Sequence, residues 1–260
     1  MLTHTQPAAQ KETPKRAGQG SVSAVTLNVA READAARVVA GIQSVSRLRD
    51  ADVFLFQEVV HDETQKSNLA QDVARELGYF VCFAPAASGA FDQGLGIVSR
   101  YPLADTRIQQ LKRCDLRFRS RDRFAIAATV RTPQFDLRVW NAHLDTRINA
   151  GERVEQLQPV IDEAARYPGP RLIGGDFNTN ELYWLGNVVP LPGGRSHGAT
   201  LRQAMKRNGF ETPLDGALNT YPALRRHLDW IFVAEVRTWD TSIEPAPFSD
   251  HRAVWVRLGP

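Results

Sequence analysis

The chain has 260 residues, enough for one well-buried layered domain, and its 32 Lys and Arg against 29 Asp and Glu leave a formal charge of +3. That mild excess suits an anionic partner without requiring nucleic acid. No apolar run approaches the roughly 20 residues needed to span a bilayer, and Cys82 and Cys114 make neither a metal motif nor a disulfide framework, so both are expected to be reduced.

Residues 1–20 are polar, carry Pro7, Lys11, Pro14, Lys15 and Arg16, and lack the apolar core of a secretory signal. An unstructured tail, a single domain over 21–260 and a cytoplasmic location are therefore expected. Val25-Thr26-Leu27 reads as a strand ending at Asn28, and Glu32 to Arg49 as a helix with Ala36, Val39, Ala40, Ile42 and Val45 near one face. The strand Val53 to Phe56 ends in Gln57-Glu58. A second helix over Thr64 to Leu77 stops at Gly78. Strands follow at Tyr79 to Phe83 and Gly96 to Ser99.

Arg117, Arg119, Arg121 and Arg123 occupy alternate positions, so an extended backbone would set them on one face able to grip phosphates. With Asp115 and Asp122 among them, a solvated strand edge explains the row equally well. Arg123 borders the strand Phe124 to Arg131 and is the one expected to touch substrate. The next strand, Phe135 to Trp140, delivers Asn141, His143 and Asp145. A helix over Gly151 to Tyr167 feeds the apolar run Arg171 to Gly174, which ends in Gly175-Asp176-Phe177-Asn178. By itself Gly-Asp-x-Asn also describes an ordinary turn.

Asn180 to His197 is rich in Pro and Gly and borders whatever Asn178 faces; its Tyr183 and Trp184 can stack on a base, meet a lipid, or simply pack in the core. A helix over Ala199 to Asn208 stops at Gly209. His227-Leu228-Asp229 opens the strand Trp230 to Val233, and Ser249-Asp250-His251 precedes Ala253 to Val256. His4, His61 and His197 are isolated in polar segments and read as solvated. Five strands that each deliver Asn, Glu, His or Asp at one end suggest a site assembled from distant segments.

In this order, Asn28, Gln57-Glu58, Asn141-Ala142-His143-Leu144-Asp145, Gly175-Asp176-Phe177-Asn178, His227-Leu228-Asp229 and Ser249-Asp250-His251 resemble the signature of the endonuclease/exonuclease/phosphatase superfamily. The resemblance runs from Asn28 to His251, and Gly94 to Pro102 is similar to the family's strand and turn between the Glu and His motifs. It implies an α/β (α+β) fold, a four-layer α/β/β/α sandwich of two mixed sheets flanked by helices.

It also implies a divalent-metal-dependent phosphoester hydrolase. Glu58 and Asp250 would hold Mg²⁺, with Mn²⁺ as the alternative, and Asn28 would add a carbonyl oxygen. Asp176 would orient or deprotonate the attacking water, and Asn178 would hold that water or a phosphate oxygen. His251 would lie against the phosphate as base or electrostatic clamp, its tautomer fixed by Asp229. His143 would donate to a phosphate oxygen, with Asn141 and Arg123 on the substrate side.

Ala30 stands where abasic-site and tyrosyl-DNA processing enzymes usually carry an acid, and His143 replaces the abasic-type tyrosine. Both departures favour a compact phosphodiesterase acting on nucleic acid or a phospholipid head group over a dedicated repair enzyme. A phosphatase of a small phosphorylated molecule and an inactive anion-binding relative are the alternatives. A monomer without an obligate protein partner is expected.

Overall fold

Strands whose side chains are apolar on both faces need cover on both sides, which only a layered arrangement supplies. A computed structural model describes residues 2–5, 20–62, 67–86, 93–114 and 122–260 and shows such layers. The elements begin with β1 (Thr3–Thr5), β2 (Val22–Asn28), α1 (Ala35–Ser44), α2 (Ser46–Arg49), β3 (Val53–Asp62), β4 (Ser67–Asn68), α3 (Leu69–Leu77) and β5 (Phe80–Pro85). Next come β6 (Gln93–Ser99), β7 (Leu103–Gln110), β8 (Phe124–Arg131), β9 (Asp136–His143), α4 (Ala150–Arg166) and β10 (Arg171–Asp176). The chain closes with β11 (Tyr183–Leu185), β12 (Val189–Leu191), α5 (His197–Arg207), β13 (Asp229–Ala234), β14 (Arg237–Glu244) and β15 (Ala253–Gly259).

One mixed sheet runs β1-β5-β6-β3-β2-β15-β14, with β4 paired to β3; a second runs β13-β10-β9-β8-β7. Neither closes on itself. Side-chain alternation divides the first sheet between two cores. Val53 and Leu55 of β3 and Val22 and Ala24 of β2 join a core shared with both faces of the second sheet and with α4 and α5. Phe54, Phe56, Val25 and Leu27 face the other way, into a core with α1, α2 and α3. The layers are thus helices, sheet, sheet, helices, as expected.

Local chemistry sets the helix ends. Asp34 caps α1 by accepting from the Ala36 and Arg37 N–H groups, and Val45 leaves helical geometry, so the expected helix over 32–49 becomes two pieces. Asn68 caps α3, and Gly78 ends it with φ 70°, a left-handed conformation suited to glycine. The 64–66 part of that expected helix lies outside the described residues.

Within the segment expected to be unstructured, Thr3–Thr5 pair antiparallel with β5, which corrects that expectation for these residues. The pairing satisfies backbone groups on an otherwise open sheet edge. Residues 6–19 lie outside the described ones. Among the described residues no helix is long and apolar enough to cross a membrane.

Candidate active site

Strand register places the site. Asp176, last residue of β10, pairs with His143 at the end of β9 on one side and with Asp229 at the start of β13 on the other. Three polar side chains from three distant segments therefore stand in a row at one level of the second sheet. Gly175 permits this row: a Cβ there would sit 1.9 Å from the Ala142 carbonyl oxygen of β9. From the first sheet, Asn28 reaches across and donates from Nδ2 to Asp176 Oδ2 at 3.0 Å.

The loop before β15 completes the cluster. Ser249 donates to the Asn28 carbonyl at 2.6 Å, and the His251 N–H donates to Ser249 Oγ at 3.0 Å, which ties this loop to the end of β2. His251 Nδ1 then lies 2.9 Å from Asp229 Oδ2, and its Nε2 lies 3.9 Å from Asp176 Oδ2. His143 Nε2 is 3.6 Å from the same Asp176 oxygen. Asp176, Asp229 and His251 are all buried, and their ligand-type atoms fall within 4.8 Å of one another.

Burial shapes the protonation of these groups. Burial and then the neighbouring Asp229 charge push the Asp176 carboxyl up to about 6, against the opposing pull of His251. For His251, burial alone would lower the imidazole. The Asp229 charge and hydrogen bond, joined by Asp176 and Asp250, outweigh it and push the group up to about 9. At neutral pH the cluster thus holds a buried imidazolium beside carboxylates.

Glu58 enters by an irregularity. Strict alternation along β3 would send Glu58 to the helix-facing side, opposite Gln57. Instead the register with β6 shifts between Phe56 and Val59, and Glu58 adopts φ 55°. That bulge turns its carboxylate into a cleft of about 440 Å³, which Asn28, His143, Asp176, Asn178, Asp250 and His251 also line. Arg31 Nε pairs with Glu58 Oε2 at 3.3 Å across the mouth. Asp250 is exposed on the rim, and its charge and hydrogen bond, together with the Glu58 charge, contribute after burial to raising the Tyr221 hydroxyl. Both carboxylates therefore line the same cleft.

Three expected residues stand differently. Asn28 turns its Oδ1 to the Ala30 N–H at 2.9 Å while its amide nitrogen holds Asp176, so its place is behind Asp176. Asn141, expected on the substrate side, is fully buried and braces the two sheets. It donates to the Phe56 and Gly96 carbonyls and accepts from Gln57 Nε2, because odd-numbered residues of β9 face the first sheet. Arg123 lies beside the cleft, in a small hollow shared with Glu58 and His143, and Asp145 holds its Nε at 2.8 Å. Arg117, Arg119 and Arg121 of the alternating row lie outside the described residues.

Several contributors escaped the sequence reading. Tyr221 and Arg226 line the cleft, and Tyr221 packs on His251 with ring centroids 4.9 Å apart. Arg153 is fully buried and bonds the carbonyls of Asp145, Thr146, Ile148 and Phe177. It thereby ties the loop after β9 to the loop after β10. His197, read as solvated, is also buried; its Nδ1 accepts from Arg153 Nε at 3.2 Å and its Nε2 meets the Leu182 carbonyl at 3.0 Å. The spacing of Arg153 and Gln156 on the buried face of α4 was the available signal, since polar residues there need partners.

Comparison with known proteins agrees with this geometry. The sequence matches the model of the Endonuclease/Exonuclease/phosphatase family over residues 25–251. No curated protein matches it by sequence. Among solved structures it is similar to an endonuclease/exonuclease/phosphatase from Beutenbergia cavernae, with TM-score 0.71 and 18% identity over 93% of this chain and 72% of that one. It is also similar to the human Nocturnin catalytic domain with bound sulfate anion, with TM-score 0.67 and 15% identity over 100% of this chain and 97% of the other. A third is D. rerio TDP2 complexed with single-strand DNA product, with TM-score 0.64 and 16% identity over 92% and 99%.

Proposed function

The chain belongs to the endonuclease/exonuclease/phosphatase family, a family of phosphoesterases, and on that premise we propose that it is a divalent-metal-dependent phosphodiesterase working by attack of an activated water. The observation that carries this reading is the buried Asp229–His251 pair set against Asp176 at the floor of a cleft that also receives Glu58. The proposed substrates carry a phosphodiester in nucleic acid or in a phospholipid head group.

The donor set fits a hard cation such as Mg²⁺ or Mn²⁺: Glu58 and Asp250 offer carboxylate oxygens to the same open cleft, which leaves room for coordinated water. When bound, the ion supplies neutralisation of phosphoryl charge. Asn28 serves through its hydrogen bond to Asp176.

Each remaining task falls to a side chain already placed. Asp176, raised toward neutrality, accepts the proton of the attacking water. Asn178 has its amide nitrogen committed to the Leu144 carbonyl, and its Oδ1 is the end it offers that water. His251, protonated at neutral pH, donates from Nε2 to a phosphoryl oxygen as negative charge builds there, while Asp229 accepts from its Nδ1–H and holds the ring in place. His143 donates to a second oxygen from the opposite side. Arg123, clamped by Asp145, meets substrate that extends past Glu58.

Hydrolysis of bis-p-nitrophenyl phosphate tests the reading. Activity with Mg²⁺ or Mn²⁺, abolished by EDTA and lost in Asp176→Ala, is expected, with the diester preferred over p-nitrophenyl phosphate. Absence of any turnover, or equal rates for wild type and Asp176→Ala, would sink it.

A further inference from the structure

Two local distortions, one after β2 and one within β3, bring a pair of opposite charges together across the cleft mouth. After β2 the Ala30 N–H donates to Asn28 Oδ1 at 2.9 Å and the Glu32 N–H to the Val29 carbonyl at 2.9 Å. Between these bonds Ala30 and Arg31 take φ 52° and 60°. Within β3 the bulge gives Glu58 φ 55°. Residues other than glycine avoid this left-handed region and hold it only where the surrounding structure imposes it. Among the described residues eight do so, and four of them, Ala30, Arg31, Glu58 and Asn178, line this one cleft. The outcome is the ion pair of Arg31 Nε with Glu58 Oε2 at 3.3 Å.

The acid next to Arg31 in sequence does not take it. Glu32 accepts from the Ala33 and Asp34 N–H groups and pairs with Arg37 at 2.9 Å. Arg31 instead reaches a carboxylate 27 residues away, the one placed to hold the cation. The Arg31 side chain is 54% exposed, so this pair is screened by water and weakly held. A divalent cation carries twice the guanidinium charge and repels it over a few ångströms. Arg31 and the cation therefore compete for Glu58, and the stronger charge takes it.

Once displaced, Arg31 remains at the mouth because its turn is fixed by Asn28. A guanidinium presents a planar fork of N–H donors that matches phosphoryl oxygens. His143, Asp176 and His251 line the same cleft, so a diester that Arg31 meets there enters among the catalytic groups.

We infer that Arg31 is a substrate-binding residue with two alternating partners: it rests on Glu58 and, when a divalent cation takes that carboxylate, turns to a phosphoryl oxygen of the diester. The inference rests on the phosphodiesterase reading above. It gives one side chain two opposite effects, weakening the hold on the cation and strengthening the hold on the substrate.

Calorimetric titration with Mn²⁺ alone reads the first effect, and bis-p-nitrophenyl phosphate kinetics at saturating Mn²⁺ read the second. Arg31→Gln should bind Mn²⁺ about three- to tenfold more tightly. It should also lower kcat/KM about tenfold, chiefly through KM. Arg31→Lys keeps the charge, so its Mn²⁺ affinity should stay near wild type while KM recovers in part. A side chain that merely shaped the turn would weaken both when replaced. Arg31→Gly suits a φ of 60° and gives the same two readouts should Gln disturb the turn, with circular dichroism verifying each fold. Unchanged or weaker Mn²⁺ binding by the Gln and Gly variants, or an unchanged KM, overturns the inference; wild-type turnover and Mn²⁺ binding would leave the phosphodiesterase reading standing. A wild type that neither binds Mn²⁺ nor hydrolyses the diester overturns both.

Discussion

Replacing Arg153 by Met tests whether one buried cation holds the loops after β9 and β10 in register. Its guanidinium donates to four backbone carbonyls at 2.6–3.3 Å and to His197 at 3.2 Å, with no exposed surface. Burial lowers its pKa to about 9, offset in part by Asp176 and Asp145. Each hydrogen bond to a charged donor contributes about 1.5–3 kcal/mol when its buried partner is left empty. Relief of the desolvation cost of burying the cation returns several kcal/mol of that sum. The net expected loss is about 3–5 kcal/mol, the range for breaking a buried ionic network by removing one member.

Urea denaturation at pH 7.5 measures that loss directly. A second measurement isolates positioning: kcat on bis-p-nitrophenyl phosphate at 15 °C, with the variant shown to be folded at that temperature. The Phe177 carbonyl that Arg153 holds lies between Asp176 and Asn178, so a shift of that loop should lower kcat about tenfold to a hundredfold, as misplacement of about 1 Å does. Arg153→Lys should recover part of the stability, having charge but fewer donors. A stability loss below about 1 kcal/mol, or full kcat per folded molecule, would refute the reasoning.

His197 predicts an acid-side stability slope. Burial, then the Arg153 charge, lowers its pKa from 6.5 to about 4, so between those values the unfolded chain binds the proton and the folded one does not. Stability therefore falls as pH drops through that window, by about 3 kcal/mol in full. Urea midpoints at pH 7.5 and pH 4.5 should show this, and His197→Gln should flatten it; parallel slopes in the two proteins would count against it. Asp229→Asn removes the main influence that raises His251, leaving only Asp176 and Asp250 to oppose burial. The basic limb of kcat/KM should then move down from about 9, with activity at pH 8 falling relative to that at pH 6; an unmoved limb would exclude the proton role given to His251.

The sequence by itself determined the strands, their order and most of the polar residues they deliver. Apolar runs such as Val53 to Phe56 and Trp230 to Val233 have no stable alternative to burial, and a polar residue closing such a run stands at a sheet rim. His143, Asp176, Asn178 and His251 were legible for that reason, whereas Glu58 lies inside β3, which runs on to Asp62.

Tertiary structure alone decided which neighbours each meets there. Register across β9, β10 and β13 made neighbours of His143, Asp176 and Asp229. A bulge turned Glu58 into the cleft. Alternation along β9 buried Asn141 as a brace between sheets, and Arg153 and His197, unremarkable in the sequence, became the tie between two loops. Local propensity and apolar patterning act over a few residues and are written along the chain. Pairing register, desolvation and the partners of a buried charge depend on segments more than a hundred residues apart, as with Asn28 and Asp176, and exist only once the sheets have packed.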